Sequence, residues 1–279
     1  MPELPELEVL RENLENRLKD RVLRELRIRK PYIQKTPQPD DLFPQKVTAV
    51  SRRGKYIIID AERNRFIIHL MLSGRMKLRS SSDPVLKSTA AVFVFCDSFL
   101  QLTEEARLKR MSLWIVVSDV KVDDIKPLGP EPLSPDFTPE RFSSIISTSR
   151  QRLKSFLVNQ RNMAGIGNAY ADEICWEAGL SPFRQASKLT GEEIERVYAA
   201  IGKVLREGIS QIRRAAGDSL DIGEKRGFMK VHRRKDEPCP RCGKPIAWVS
   251  TTSRNTYYCP GCQTGGKVLK DGRRSRFLK

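Results

Sequence analysis

The chain has 279 residues, of which 39% are apolar and 30% are charged, and its formal net charge is +17. This length exceeds that of a usual single domain, so we expect two or three domains with a sizeable core. No apolar run approaches the ~20 residues that cross a bilayer, and the first twenty residues carry acids and lack a signal-peptide core. These features favour a cytoplasmic protein without a membrane partner.

The positive charge is concentrated toward the C-terminus. Residues 225–279 contain 15 Lys and Arg residues against three acids, a net charge of +12, which leaves +5 for residues 1–224. This distribution favours a polyanionic partner, most commonly nucleic acid. A basic but merely soluble surface remains the alternative. An anionic membrane is disfavoured, because the region lacks an amphipathic helix with bulky apolar anchors.

The first six residues, Met-Pro-Glu-Leu-Pro-Glu, offer a group with unusual chemistry. Removal of Met1 would leave Pro2 as the terminus, with a secondary amine in place of an amide. An α-amino group titrates near pH ~8, so part of it is unprotonated at neutral pH and can form a Schiff base with an electrophilic carbon. The adjacent Glu3 could move protons. The structural alternative is that both residues only open a helix, where proline and acids are favoured.

A helix is predicted over residues 4–19, because leucines recur there at helical spacing between charged residues. Between residues 22 and 122 the residue pattern changes to short runs rich in β-forming residues, several of them separated by turn residues. These runs cover residues 22–28, 55–60, 65–72, 91–95, 99–102 and 113–117. Many short strands at this spacing predict an antiparallel sandwich or barrel.

A Pro- and Gly-rich segment at residues 126–135 interrupts the β pattern and predicts a domain boundary. Helical signals follow it. Thr138 and Pro139 form an N-cap and first-turn pair, and residues 190–193 form a capping box before a helical apolar stripe. The second part of the chain is therefore expected to be helical.

Between the predicted helices, Gly165, Gly167 and Asn168 predict a turn that opens a helix. Backbone N–H groups at such a positive dipole end suit a phosphate, and helix–turn–helix units in DNA-binding proteins use the same physics. Two glycines also make tight turns between packed helices, so a structural explanation stays open.

Two Cys-x2-Cys pairs near the C-terminus predict a metal site. Sixteen residues separate the pairs, which is the spacing of a four-cysteine zinc ribbon with a β-hairpin at residues 246–249 and 256–258. The expected ligands are Cys239, Cys242, Cys259 and Cys262. Four thiolates leave no open position for water, so one structural Zn²⁺ is expected. Disulfides are the alternative, which a cytosolic location disfavours.

The remaining cysteines and the hairpin arginine carry weaker signals. Cys96 and Cys175 lie in apolar surroundings and are expected to be buried and inert. Arg254 lies in the predicted hairpin, where its guanidinium could hold a phosphate, although most such arginines are merely solvated. The basic tail at residues 266–279 would add sequence-independent electrostatic attraction.

From Pro2 to about Gln263 the chain closely resembles the formamidopyrimidine-DNA glycosylase / endonuclease VIII family. Three signatures carry the resemblance. They are the N-terminal Met-Pro-Glu-Leu-Pro-Glu, the helix–two-turn–helix segment at residues 159–182, and the four-Cys ribbon with Arg254. Membership would make the chain a base-excision-repair enzyme that removes oxidised or ring-opened purines and then cleaves the strand at the abasic site.

The resemblance implies catalytic roles for four residues. Pro2 would attack C1′ of the damaged nucleotide and displace the base, and Glu3 would act as proton donor. Lys55 and Arg254 would contact phosphate and assist the β- and δ-eliminations. Further contacts with DNA are expected from Glu6, which also shapes the terminus, and from His69, Leu72, Lys109, Arg110, Arg150, Lys154 and Asn168. For His69 a packed strand residue is an equal alternative.

Several departures from the family pattern concern specificity. Leu72 stands in the wedge motif where these glycosylases usually have Met, and Lys109-Arg110-Met111 stands where an Arg-Arg-Phe insertion is usual. Ser88 and Thr89 lie where a histidine is expected. The segment at residues 223–235 is shorter than the family's loop that caps 8-oxoguanine. An endonuclease VIII-like preference for oxidised pyrimidines is therefore an alternative, and a non-catalytic lesion-binding protein is another.

The expected architecture is α+β and multidomain. An N-terminal β-sandwich domain with an N-terminal helix covers residues 1–128, and a helix–two-turn–helix domain covers residues 129–228. A zinc ribbon covers residues 229–265, and a basic tail covers residues 266–279. The expected partner is double-stranded DNA with damaged bases or abasic sites, bound by a monomer in the cytoplasm and associated with the nucleoid in a prokaryote.

Overall fold

The computed structural model describes residues 1–108, 110–223, 226–250 and 255–269. The chain divides into two compact units. The first comprises Met1–Pro127 with Gly208–Lys225, and the second comprises Leu128–Glu207 with Arg226–Lys279. Within the described ranges, no helix combines the length and the apolar character that a membrane span requires.

The first unit opens with helix α1 (Leu4–Leu18), which confirms the predicted N-terminal helix. Pro5 lies in its first turn, where a proline loses no hydrogen bond. The predicted leucine face is buried, so the helix is held against the rest of its unit. The chain returns to this unit after residue 207, and Asn13 Nδ2 donates to the carbonyl groups of Gly217 and Ser219, both at 2.8 Å.

Among the described residues of the first unit, nine strands form two antiparallel sheets. In chain order they are β1 (Val22–Leu23), β2 (Glu25–Ile28), β3 (Gln45–Arg53), β4 (Tyr56–Ala61), β5 (Asn64–His69), β6 (Gly74–Ser80), β7 (Thr89–Val94), β8 (Ser98–Glu104) and β9 (Ser112–Val117). One sheet has the order β1-β3-β4-β5-β9 and the other β2-β7-β8-β6. Phe66 of β5 and Phe93 of β7 meet edge to face, with ring centroids 5.3 Å apart, and both are fully buried. The predicted sandwich is confirmed.

The structure adds two strands that the apolar runs did not predict, β3 and β6. In both strands the buried residues are interrupted by half-buried or exposed ones, several of them charged, so neither strand contains a continuous apolar run. The predicted run at residues 22–28 divides at Arg24, where the chain passes from one sheet to the other.

The second unit is helical, as predicted. Helix α2 (Val122–Ile125) still belongs to the first unit and lies just before the boundary. The helices of the second unit are α3 (Pro139–Ile146), α4 (Leu153–Val158), α5 (Asn168–Glu177), the N-terminal part of α6 (Gly191–Ala216) and α7 (Pro260–Gln263). Thr138 caps α3 through Oγ1, which accepts from the Arg141 N–H at 3.3 Å. The predicted capping box is present, since Thr190 and Glu193 exchange two hydrogen bonds at the start of α6.

The predicted ribbon hairpin is also present. Strands β10 (Ala247–Ser250) and β11 (Asn255–Tyr258) pair antiparallel, and α7 follows them. Trp176 of α5 packs in one buried cluster with Cys239, Ile246 and Cys259. The ribbon is therefore anchored on α5 through an apolar contact.

Candidate active site and metal centre

The N-terminal segment is buried and held in place by its own helix. Pro2 is buried, and Glu3 and Glu6 are only 3% and 2% exposed. The backbone N–H of Glu3 donates to Glu6 Oε2 at 2.9 Å, and the N–H of Leu7 donates to the Glu3 carbonyl at 3.0 Å. The Glu6 carboxylate thus caps the helix and fixes the backbone that carries Pro2, which a catalytic terminus requires.

Lys55 and His69 lie at the same end of the β4–β5 hairpin. Lys55 follows Gly54, whose φ of 57° makes the turn between β3 and β4, and it is 6% exposed. The next residue, Tyr56, is the register partner of His69, and their rings meet edge to face with centroids 4.7 Å apart. Two of the predicted site residues are thereby brought into one neighbourhood of the first unit.

His69 is a neutral hydrogen-bond donor at physiological pH. The backbone N–H of Met71 donates to its Nδ1 at 3.1 Å, which leaves the ring proton on Nε2. Burial, together with the positive charges of Lys55 and Lys126, lowers the pKa of His69 to about 4. The ring can therefore donate one N–H to a phosphate oxygen, without a charge of its own.

The first unit presents two leucines to solvent. Leu72 is 60% exposed in the turn after β5, and Leu108 is 67% exposed in the segment between β8 and β9. In that second segment Arg110 is exposed and Met111 is fully buried, whereas Lys109 lies outside the described residues. Leu108 was missed by the sequence analysis, although an isolated leucine between Arg107 and Lys109 was a usable signal.

In the second unit, Lys154 belongs to a buried polar network. Its Nζ lies 2.6 Å from Asp172 Oδ1 and donates to the Asn255 carbonyl at 2.9 Å and to Thr256 Oγ1 at 3.1 Å. Asp172 Oδ2 in turn lies 2.8 Å from His232 Nδ1. The ammonium group therefore makes two hydrogen bonds and one ion pair within this unit.

Asn168 and Arg150 are more accessible than Lys154. Asn168 opens α5 after Gly167, and its Nδ2 donates at 3.1 Å to the same Asn255 carbonyl that Lys154 binds. Arg150 is exposed just before α4. Arg254 precedes Asn255 in the chain but lies outside the described residues.

The four predicted zinc ligands converge. The Sγ atoms of Cys239, Cys242, Cys259 and Cys262 all lie within 4.8 Å of one another. The Sγ atoms of Cys239 and Cys262 are 3.8 Å apart, and those of Cys242 and Cys259 are 3.3 Å apart. A tetrahedral Zn²⁺ with ~2.3 Å bonds to sulfur places its ligands ~3.8 Å apart, so the four thiols fit one structural zinc ion.

Neighbouring N–H groups favour the thiolate form of one ligand. Burial raises the pKa of Cys239, but hydrogen bonds from the backbone N–H of Arg241 and from Trp176 Nε1 outweigh burial and bring the pKa to about 6. The Trp176 Nε1 to Cys239 Sγ distance is 3.3 Å. Trp176 therefore supports the metal site from outside the ligand set.

The other two cysteines differ from each other. Cys175 is fully buried and burial raises its thiol pKa, which confirms the expected inert character. The prediction that Cys96 is buried is wrong, because Cys96 is exposed in the tight turn between β7 and β8. Apolar neighbours in sequence did not predict burial there, since a turn directs its residues away from the sheet.

Three family models match the chain. They are the formamidopyrimidine-DNA glycosylase N-terminal domain over residues 1–111, the formamidopyrimidine-DNA glycosylase H2TH domain over residues 128–217, and the zinc finger found in FPG and IleRS over residues 236–265. Together these matches reach from the N-terminal segment to the last cysteine pair.

Named relatives match over nearly the whole chain. Formamidopyrimidine-DNA glycosylases of Listeria monocytogenes and Geobacillus kaustophilus are 32% and 34% identical, and each match covers 94% of this chain and 100% of the relative. Solved structures of Lactococcus lactis Fpg have TM-scores of 0.84 to 0.85 at 27% identity, covering 94% of this chain and 99% to 100% of theirs. They are complexes with DNA containing an abasic site, N7-benzyl-Fapy-dG or an oxidized pyrimidine.

Proposed function

This chain belongs to the formamidopyrimidine-DNA glycosylase family, as its sequence motifs predicted, and from that membership we infer that it is a DNA glycosylase of oxidised-purine repair with abasic-site lyase activity. The observation that supports this function best is the buried, hydrogen-bonded N-terminal segment. A terminus ordered in this way can present a nucleophile with a fixed direction.

We propose that the nucleophile is the amine of Pro2, released by removal of Met1. Its nitrogen attacks C1′ of the damaged nucleotide, the C1′–base bond breaks, and the base leaves with a proton supplied by Glu3. Ring opening of the sugar gives a cationic iminium, which makes the C2′ hydrogen acidic. Loss of that proton expels the 3′ phosphate, a second elimination expels the 5′ phosphate, and water releases the sugar fragment from Pro2.

Side chains of both units are proposed to hold the DNA. Lys55 and His69 lie together and suit a phosphate near the reacting sugar, one as a cation and the other as a neutral N–H donor. Leu72 would fill the gap that a flipped nucleotide leaves in the base stack, and Leu108 offers a second apolar tip. Further proposed contacts with DNA come from Lys109, Arg110, Arg150, Asn168 and Arg254.

Each predicted domain has its own proposed role. We propose that residues 1–128 carry the chemistry, that residues 129–228 and the ribbon at 229–265 bind the backbone, and that residues 266–279 add charge. The protein is proposed to work as a monomer on double-stranded DNA in the cytoplasm, associated with the nucleoid in a prokaryote.

A preference for oxidised pyrimidines is the second candidate. Leu72 replaces the usual Met and Leu108 is the exposed apolar residue of its loop, so the parts that probe the lesion and the opposite base are altered. The L. lactis enzyme has itself been solved with an oxidized pyrimidine in its DNA.

Borohydride trapping tests both candidates on the full, zinc-loaded chain. Duplexes with 8-oxoguanine, a ring-opened purine, an oxidised pyrimidine or an abasic site are incubated with enzyme and reductant. A covalent adduct at Pro2, located by mass spectrometry, is expected for abasic and ring-opened purine duplexes. A larger yield with the pyrimidine would favour the second candidate. No adduct with abasic DNA would leave only lesion binding, and an adduct elsewhere, or on a chain that retains Met1, would contradict the Pro2 mechanism.

A further inference from the structure

We propose that Glu104 is a positioning residue that ties together the two segments carrying Leu72 and Leu108. Through them it would set how the enzyme opens the base stack, and in this respect the inference rests on the proposed function. Leu72 lies between β5 and β6, and Leu108 lies between β8 and β9. The two segments are separate in sequence, so their relative placement needs a contact between them.

The Glu104 carboxylate closes the base of the second segment. It is the last residue of β8 and is 1% exposed. The Arg110 N–H donates to Oε1 and Oε2, both at 3.0 Å, and the Met111 N–H lies 3.3 and 3.2 Å from the same two oxygens. A buried carboxylate is stable only when such donors replace water. The segment that presents Leu108 is therefore closed by these backbone hydrogen bonds.

The same carboxylate reaches the segment that carries Leu72. Ser73 Oγ donates to Glu104 Oε1 at 3.4 Å, and Gly74 is the register partner of Glu104 in the β6–β8 ladder. A Cβ atom at Gly74 would lie 2.4 Å from the Leu70 carbonyl oxygen and 2.9 Å from Met111 Sδ. Met111 therefore packs onto the backbone of the Leu72 turn, and the contact leaves no room for a larger residue at position 74.

The Tyr32 phenol is a fourth donor to the Glu104 carboxylate, beside the N–H groups of Arg110 and Met111 and the hydroxyl group of Ser73. Burial raises the pKa of Tyr32, and a hydrogen bond to Glu104 raises it further, so the phenol stays protonated and can donate. Charged acceptors make stronger hydrogen bonds than neutral ones. A glutamine at position 104 would place its NH₂ group where a carboxylate oxygen now accepts, so that donors of the two segments would face another donor and lose their hydrogen bonds.

The test compares Glu104→Gln with Glu105→Gln in the full, zinc-loaded protein. Glu105 is the next residue and is exposed, so the control makes the same change of charge outside the network. The probe is a duplex with a tetrahydrofuran abasic analogue opposite 2-aminopurine, whose fluorescence rises when the base loses its stacking. It requires no chemistry by Pro2.

We expect E104Q to raise the protein concentration that gives half of the fluorescence rise by about tenfold or more. A hydrogen bond to a charged group is worth about 1.5–3 kcal/mol, and 1.4 kcal/mol corresponds to about tenfold. E105Q should stay within about twofold of the wild type. In a protein that already carries Leu72→Ala, E104Q should reduce the fluorescence response little further, because both changes impair the same insertion of Leu72 into the base stack.

Single-stranded abasic DNA separates positioning from general damage. No base stack has to be opened there, so borohydride trapping by E104Q should match that of the wild type. Equal duplex responses of E104Q and E105Q, or additive effects of E104Q and L72A, would overturn the inference. If the wild type forms no adduct while the duplex response of E104Q still falls, only the proposed chemistry fails. Should E104Q not fold, Ser73→Ala is expected to show the same defect, a reduced response on the duplex with normal trapping on single-stranded DNA. A wild-type response of Ser73→Ala on the duplex would then overturn the inference that Glu104 connects the two segments.

Discussion

Lys154 and Asp172 form a buried ion pair, with Nζ 2.6 Å from Oδ1 and side-chain exposures of 7% and 0%. Lys203 and Glu177 form a pair of the same length, but their side chains are 55% and 20% exposed. Distance alone does not set the value of an ion pair. Removing one partner of a buried pair leaves an uncompensated charge, whereas water compensates an exposed one.

We therefore expect Lys154→Met to lower the free energy of unfolding by about 3–5 kcal/mol, and Lys203→Met to lower it by less than about 1 kcal/mol. Urea denaturation followed by tryptophan fluorescence would measure both. Because Lys154 also binds the Asn255 carbonyl, K154M should disturb the ribbon hairpin more than the first unit. Equal losses in the two variants would show that burial does not govern these pairs.

Glu3→Gln should lose base excision before it loses abasic-site cleavage. Departure of the base needs a proton donor, and a positioned general acid contributes about 10²–10⁴-fold. Abasic DNA has already lost its base, so its cleavage depends less on Glu3. The two rates are measured by gel on lesion and abasic duplexes of the same sequence. Equal loss of both would contradict the proton-donor role. Pro2→Gly keeps a terminal amine and is expected to retain part of the lyase activity.

His69 should make stability depend on pH. Its pKa is about 4 in the folded protein and ~6.5 when unfolded, so the unfolded chain binds the proton more readily. The contribution of the neutral ring is complete above pH ~6.5 and is lost as pH falls toward 4, by at most about 1.4 kcal/mol per pH unit. His69→Gln should remove this dependence. Urea unfolding of both proteins between pH 4 and 7 gives the difference, and parallel curves would exclude the proposed ring state.

Trp176 should tune the affinity for zinc without being a ligand. Loss of its N–H···S bond in Trp176→Phe is expected to weaken zinc binding about 10–100-fold, as outer-shell changes generally do. Trp248→Phe is the matched control, because Trp248 lies on the hairpin and is 38% exposed. Titration with a zinc-chelating dye measures both. An equal zinc affinity of the two variants would contradict a role of the Trp176 hydrogen bond in zinc binding.

Local patterns predicted several parts of this protein correctly. Periodic leucines gave α1, and the Thr190–Glu193 pair marked the start of α6. Two cysteine pairs defined the zinc site. In each case residues close in sequence form the structure, so their spacing carries the information. The apolar runs did not predict strands β3 and β6, because polar and charged residues interrupt the apolar residues of both strands.

The motifs and their order, by themselves, determined the family, the zinc ligands and the candidate nucleophile. Only the tertiary structure decided that Lys154 is enclosed by Asp172 and Asn255, that Glu104 joins two separate segments, and that Cys96 is exposed. The physical reason is that a charged side chain's role depends on which donors and acceptors replace water around it. Those partners come from distant parts of the chain, and packing alone brings them together.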